Sequence, residues 1–170
     1  MLIRQEKPED FPTIHDLVKI AFQTAKVSNG DEQNFVERLR AGGNYIPELA
    51  LVAEEEGRII GHIMLTATAI ATAGGPRAVL LLGPLAVMLE RRGRGVGARL
   101  VEEACAKARA LGHGAVVLAG DPAYYARFGF RPTADFGVGN TNGIPEAYVM
   151  ARELWPGALQ GVGGLITLET

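Results

Sequence analysis

A chain of 170 residues, 48% of them apolar, can bury one substantial core, and its length argues against a second domain. Its 17 basic and 19 acidic side chains leave a formal charge of -2, which excludes the global positive field that gathers nucleic acid. A single cysteine, Cys105, excludes an intrachain disulfide, and no window reaches the roughly 18 apolar residues of a membrane span. The opening "MLIRQEKPEDFPTIHDL" has no apolar signal region and metal-site spacing of Cys and His is absent, so a cytoplasmic protein without metal, membrane or nucleic-acid partners is expected.

"LIRQ" reads as a first strand, and Phe11, Ile14, Leu17, Val18 and Phe22 then recur at helical spacing. "DEQNFVERLRAGG" predicts a second helix with Phe35, Val36 and Leu39 inward and a glycine pair at its end. "LALVAEEEGRIIGHIMLTATAI" predicts two strands around a hairpin turn at Glu55, Glu56 and Gly57. "PRAVLLLGPLAV" is a third, more uniformly apolar strand, interrupted by Gly83-Pro84. Proline lacks the ladder donor, so a bulge or splay is expected there. From Arg94 to Leu111 the pattern is helical, with Gly97, Leu100, Val101, Ala104, Ala108 and Leu111 on one face. Gly112 stops that helix and "AVVLAG" completes a βαβ unit. "DPAYYARF" opens with Asp121 as N-cap and proline at the first helical position. "GFRPTADFG" and "AYVMARELW" supply the last strands, and the glycine-rich but apolar tail is expected to pack.

The segment "RRGRGVG" lies between a strand ending at Val87 and a helix, where free N–H groups and the helix dipole favour an anion. Glycines let a phosphate approach, and Arg91, Arg92 and Arg94 offer charge-assisted hydrogen bonds, so the turn reads as a pyrophosphate cradle. Spacing alone also allows a plain glycine-rich connection. Gly93, Gly95 and Ala98 satisfy the dinucleotide pattern G-x-G-x-x-G/A, with Asp121 as a ribose-binding acid, so an NAD- or FAD-binding oxidoreductase is a rival. Against it, "MLERR" separates the strand from the first glycine, and the chain beyond Asp121 is too short for further βαβ units.

Arg92-Gly93-Arg94-Gly95-Val96-Gly97 resembles the signature of the GNAT superfamily of acyl-CoA-dependent N-acyltransferases. "IRQEKPEDFPTIHDLVKIAF", "LALVAEEEGRIIGHIML", "LGPLAVMLERRGRGVGARLVEEA" and "YYARFGFRP" follow the family's order, so the resemblance covers most of residues 2 to 153. It implies an α/β (α+β) fold, a single GNAT-like domain over residues 1–153 with a mixed, V-shaped central sheet flanked by helices, and residues 154–170 packing on it. It also implies acetyl-CoA as co-substrate, its pyrophosphate on Arg92, Gly93, Arg94, Gly95, Val96, Gly97 and Ala98, and its pantetheine arm beside Leu85, Ala86 and Val87.

The implied reaction is direct acetyl transfer to a primary amine in a ternary complex, with no metal. Acyl transfer needs a polarised thioester carbonyl, for which backbone N–H near Val87 is the candidate, and a proton for the leaving thiolate. The resemblance assigns that proton to Tyr125, four residues before the glycine of "YARFGF"; Tyr124 is the neighbour to be told apart from it. Many relatives place a glutamate base on the central strand, yet "AVLLLGPLAV" has no acid. Glu54, Asp121 and a water chain remain candidates, and Asp121 also reads as a cap and Glu54 as part of a solvated hairpin. His62 lies in a strand-like run and could face the cleft, but reads rather as a structural or surface residue than a catalytic one, Cys105 as a buried apolar residue, and Trp155 as either a core cap or a cleft wall. The missing base keeps a non-catalytic acyl-CoA-binding module open as an alternative. The acceptor amine, small or peptidyl, carries no motif, and the resemblance leaves a homodimer through the C-terminal strands open.

Overall fold

In the computed structural model, which describes residues 1–169, ten strands and four α-helices are found among the described residues. The chain divides into two compact units, Met1–Thr66 with Leu82–Lys107, and Ala67–Leu81 with Ala108–Thr170.

In the first unit, β1 (Leu2–Gln5) and β3 (Arg58–Thr72) flank β2 (Tyr45–Glu55), both antiparallel to it. β2 and β3 meet in a two-residue turn in which Glu56 and Gly57 have φ of 51° and 75°. Two positive φ values in succession give the turn whose twist matches a hairpin. Residues alternate across β2 and β3, and this splits the packing. Ala50, Val52 and Met64 meet Ile14, Leu17 and Val18 of α1 (Phe11–Phe22) and Val36 and Leu39 of α2 (Glu32–Ala41). The opposite face carries Gly61. A Cβ on Gly61 would stand 2.8 Å from Leu100 Cδ1, so glycine there lets α3 (Val96–Ala110) seat closely on the strand. Of the inner face expected for α3, Gly97, Leu100, Val101, Ala104 and Ala108 are buried, but Leu111 is 50% exposed because the helix stops at Ala110.

The strand expected over "PRAVLLLGPLAV" is two strands, β4 (Gly75–Leu82) and β5 (Ala86–Val87). Gly83 N–H bonds to Met64 O at 2.8 Å, whereas Ala86 stands opposite His62, so three steps on one strand match two on β3. That extra residue at Gly83-Pro84 is the bulge the proline demands.

In the second unit, β6 (Ala115–Ala119) runs parallel to β4 through Leu80–Val116 and Leu81–Val117, and antiparallel to β9 (Val149–Glu153), which also holds β7 (Arg131–Pro132). β10 (Gly164–Ile166) pairs antiparallel with β3 at Ile70 and Ala71 and parallel with β8 (Val138–Asn140), and Ala158, Leu159, Ile166 and Leu168 are buried. Parallel and antiparallel pairs coexist, so the sheet is mixed and the fold is α/β. No helix among the described residues is long and apolar enough to cross a membrane.

Candidate active site

The first unit brings the glycine turn and β5 together in sequence and in packing. Gly93 and Gly95 have φ of 75° and 81°, values at which an L side chain is strained, so the turn before α3 needs both glycines. Arg99 N–H reaches Gly95 O at 3.0 Å as the first helical bond. The N–H groups of Gly95, Val96, Gly97 and Ala98 therefore precede any intrahelical acceptor and, with the helix dipole, form a place for an anion. Cβ atoms built on Gly93 and Gly95 would meet nothing within 4 Å, so the approach to these amides is open.

The arginines divide their duties. Arg92 donates to Ala21 O at 2.8 Å and Thr24 Oγ1 at 3.0 Å, fastening the turn to the end of α1. Arg91 donates to Glu55 at 3.3 Å. Arg94 is exposed and makes no such bond among the described residues, so it is the guanidinium of the three left for a ligand.

β5 is paired on one side. Met88 N–H bonds to Ile60 O at 2.8 Å, and Gly61–Val87 and His62–Ala86 are its register with β3. Because hydrogen-bonding direction alternates in an antiparallel pair, Val87 turns its N–H and C=O away from β3. No strand among the described residues takes that edge of β5, so its backbone groups can pair with an extended amide chain.

Tyr125 belongs to the second unit, at the end of the single-turn α4 (Pro122–Tyr125). Asp121 caps that turn, accepting from Ala123 N–H at 3.0 Å. A carboxylate so engaged serves the helix, as the Asp-Pro pair suggests. The Tyr125 ring packs edge-on to Phe130 with centroids 5.8 Å apart, and a Cβ on Gly120 would stand 2.7 Å from its Cε2, so Gly120 makes room for the ring. Burial holds the Tyr125 phenol above its usual range, with Tyr124 and Asp121 adding to the effect; it stays protonated at neutral pH. Its hydroxyl has no hydrogen bond among the described residues. Tyr124 sits differently, under Arg127 at 4.6 Å and against Phe128.

Of the base candidates, Glu54 accepts from Arg4 at 3.3 Å, and Arg4 also holds Asp10 in a two-point ion pair. Sequence reasoning passed over the polar centre of this unit. Glu6, 6% exposed, accepts from Arg40 Nε at 2.8 Å, from Tyr45 Oη at 2.7 Å, and on Oε1 from His62 Nε2 at 2.9 Å. The Arg40 guanidinium lies over the Phe11 ring, 3.8 Å from its centroid. Burial pushes the Glu6 carboxyl up, but the bonds from Arg40, His62 and Tyr45 outweigh it and bring it to about 2. His62 is fully buried, not at the surface, and its Nδ1 has no partner among the described residues. The available signal was His62, a titratable residue in the otherwise apolar strand run IIGHIML.

Comparison with known proteins agrees with this geometry. Residues 2–133 match the family model described as an acetyltransferase (GNAT) domain. The chain is 34% identical over 167 residues to the uncharacterized N-acetyltransferase YhbS of Escherichia coli strain K12, covering 98% of this chain and 95% of that one. The crystal structure of the E. coli GNAT family N-acetyltransferase YhbS in complex with CoA superposes with a TM-score of 0.85 at 32% identity, over 99% of this chain and 89% of that one. A GNAT family acetyltransferase from Brucella melitensis in complex with acetyl-CoA gives 0.77 at 31% identity, over 99% and 96%. With a glycine turn shaped for an anion, a strand edge open to an amide chain and relatives of this similarity along nearly its whole length, the chain belongs to the GNAT N-acetyltransferases.

Proposed function

We propose that the protein moves the acetyl group of acetyl-CoA directly to a primary amine within a ternary complex. The carrying observation is the pairing, in one unit, of the amide-lined turn at Gly93–Ala98 with the open backbone edge at Val87. A pyrophosphate followed by a pantetheine arm has that chemistry in that order: an anion for a helix start, then amides for a strand edge. Arg94 adds charge to the turn, and Arg92 acts by holding it in place. Leu85, Ala86 and Val87 line the arm, and the Val87 N–H polarises the thioester carbonyl. The relatives with bound CoA and acetyl-CoA support this reading.

Tyr125, neutral at physiological pH and with its hydroxyl unengaged among the described residues, supplies a proton to the departing thiolate. The acceptor amine attacks the carbonyl carbon, forming the C–N bond as the C–S bond breaks. The absence of an acid on the strand from Ala78 to Val87 leaves the base to another element.

Calorimetric titration of acetyl-CoA into the wild type, Gly95→Glu and Tyr125→Phe proteins tests the reading, followed by a screen of primary amines for release of free CoA thiol. Gly95→Glu puts a side chain at φ 81° and a negative charge in the cradle, and is expected to abolish binding. Tyr125→Phe is expected to bind normally and to lose on the order of 100-fold in kcat. A wild type that binds no acetyl-CoA refutes the assignment, and binding without turnover of any amine moves it to a non-catalytic acyl-CoA-binding module.

A further inference from the structure

The reaction so far lacks a proton acceptor for the amine, and the structure holds one candidate that the family signature does not point to. His62 lies on β3 directly opposite Ala86 of β5, one strand spacing, about 4.8 Å, from the strand that would carry the thioester arm. Its Nε2 faces Glu6 Oε1 at 2.9 Å. A carboxylate that also accepts from Arg40 and Tyr45 can only accept, so Nε2 must carry the hydrogen and the neutral ring leaves Nδ1 as a bare lone pair. This is the orientation logic of a carboxylate, an imidazole and a free basic nitrogen.

The free nitrogen is the informative part. His62 is fully buried, and Nδ1 finds no partner among the described residues. An orphaned buried acceptor is destabilising, a cost that a purely packing side chain would avoid. The ring's charged partner is Glu6 from the β1–α1 connection, and the titratable groups gathered on Glu6 are Arg40 from α2 and Tyr45 from β2. α1 and β5 bring Phe11, Ile14 and Ala86 to this face, none of which titrates.

We propose that His62 is the proton acceptor for the acceptor amine, reached through a water at Nδ1, with Glu6 fixing its tautomer. The amine arrives as an ammonium ion, gives one proton through that water to Nδ1, and so gains the lone pair that attacks the carbonyl. The C–N bond forms, the C–S bond breaks, and the nitrogen loses its second proton as the departing thiolate takes one up. The proton on His62 returns to solvent, so the net change is ammonium plus thioester to amide, thiol and one proton. This inference rests on the acetyltransferase reading.

The test compares wild type with His62→Gln, whose amide N–H can keep the bond to Glu6 but has no basic nitrogen; His62→Asn serves as a second variant should Gln perturb folding. Acetyl-CoA affinity is measured by calorimetry, and turnover by CoA thiol release, with propylamine as the probe amine, from pH 7 upward. The proposal predicts unchanged acetyl-CoA affinity, a kcat lowered about 100-fold at pH 7, and a deficit that closes toward pH about 10, where the amine enters neutral without help. A variant as fast as wild type at pH 7, or slowed equally at every pH, overturns the role of His62 and leaves the acetyltransferase reading intact. A wild type that fails to bind acetyl-CoA removes both.

Discussion

Glu6 shows how a single buried charge can be tolerated. Its carboxylate gives up water but gains bonds from Arg40, Tyr45 and His62, and the positive partner is itself spread over the Phe11 face. The same balance makes the fold sensitive to acid. Glu6 falls from the usual 4.5 to about 2 in the folded chain, so its contribution is fully present above pH 4.5 and is lost as pH drops from there toward 2. That shift corresponds to about 3 kcal/mol, and urea unfolding at a series of acid pH values is expected to show a loss of this order. Glu6→Gln should flatten that slope while lowering stability at neutral pH, because Arg40 is left buried without its anion. An unchanged slope in the variant would assign acid sensitivity elsewhere, with Asp10, also held low by Arg4, next in line.

At the scale of elements, the regular parts were legible because their periodicity is strong. α1, α2 and α3 fall where apolar residues repeat at helical spacing, and the Glu56-Gly57 turn falls where the strands change direction. What escaped reading depends on partners distant in sequence. β8 and β10 are three residues each, too short for a pattern, and exist because they pair with each other and with Ile70 and Ala71. The Glu6–His62 contact joins residues 56 apart, and no local spacing announces it. Asp121, by contrast, was readable as a cap because capping is local chemistry. The β6–α4 connection also yields a test. Gly120→Ala places a methyl where the edge of the Tyr125 ring lies, and the ring, not the backbone, must yield. The variant is expected to lose less than about 1 kcal/mol of stability while kcat falls, and thermal unfolding beside turnover separates the two. Wild-type turnover would show that the ring's position is immaterial.

For the whole molecule, a formal charge of -2 gives an anionic co-substrate no long-range attraction. Under the proposed function, recognition then comes from short-range sources, the amides of Gly95–Ala98 and the Arg94 guanidinium. Acetyl-CoA affinity is expected to fall only a few-fold when salt is raised so that the Debye length shrinks from about 10 Å to about 3 Å, and Arg94→Ala should remove most of that dependence. Calorimetry across a salt series checks it, and a steep decline would reveal steering by charges outside the turn. The one-sided pairing of β5 carries a last consequence. An unpaired strand inside a sheet ordinarily invites another polypeptide to add on, the first step of aggregation. β5 offers two residues and is preceded by Pro84, which has no amide hydrogen to donate. Such an edge, two residues long, can accept the short extended arm proposed for it and is too short to template a neighbouring chain.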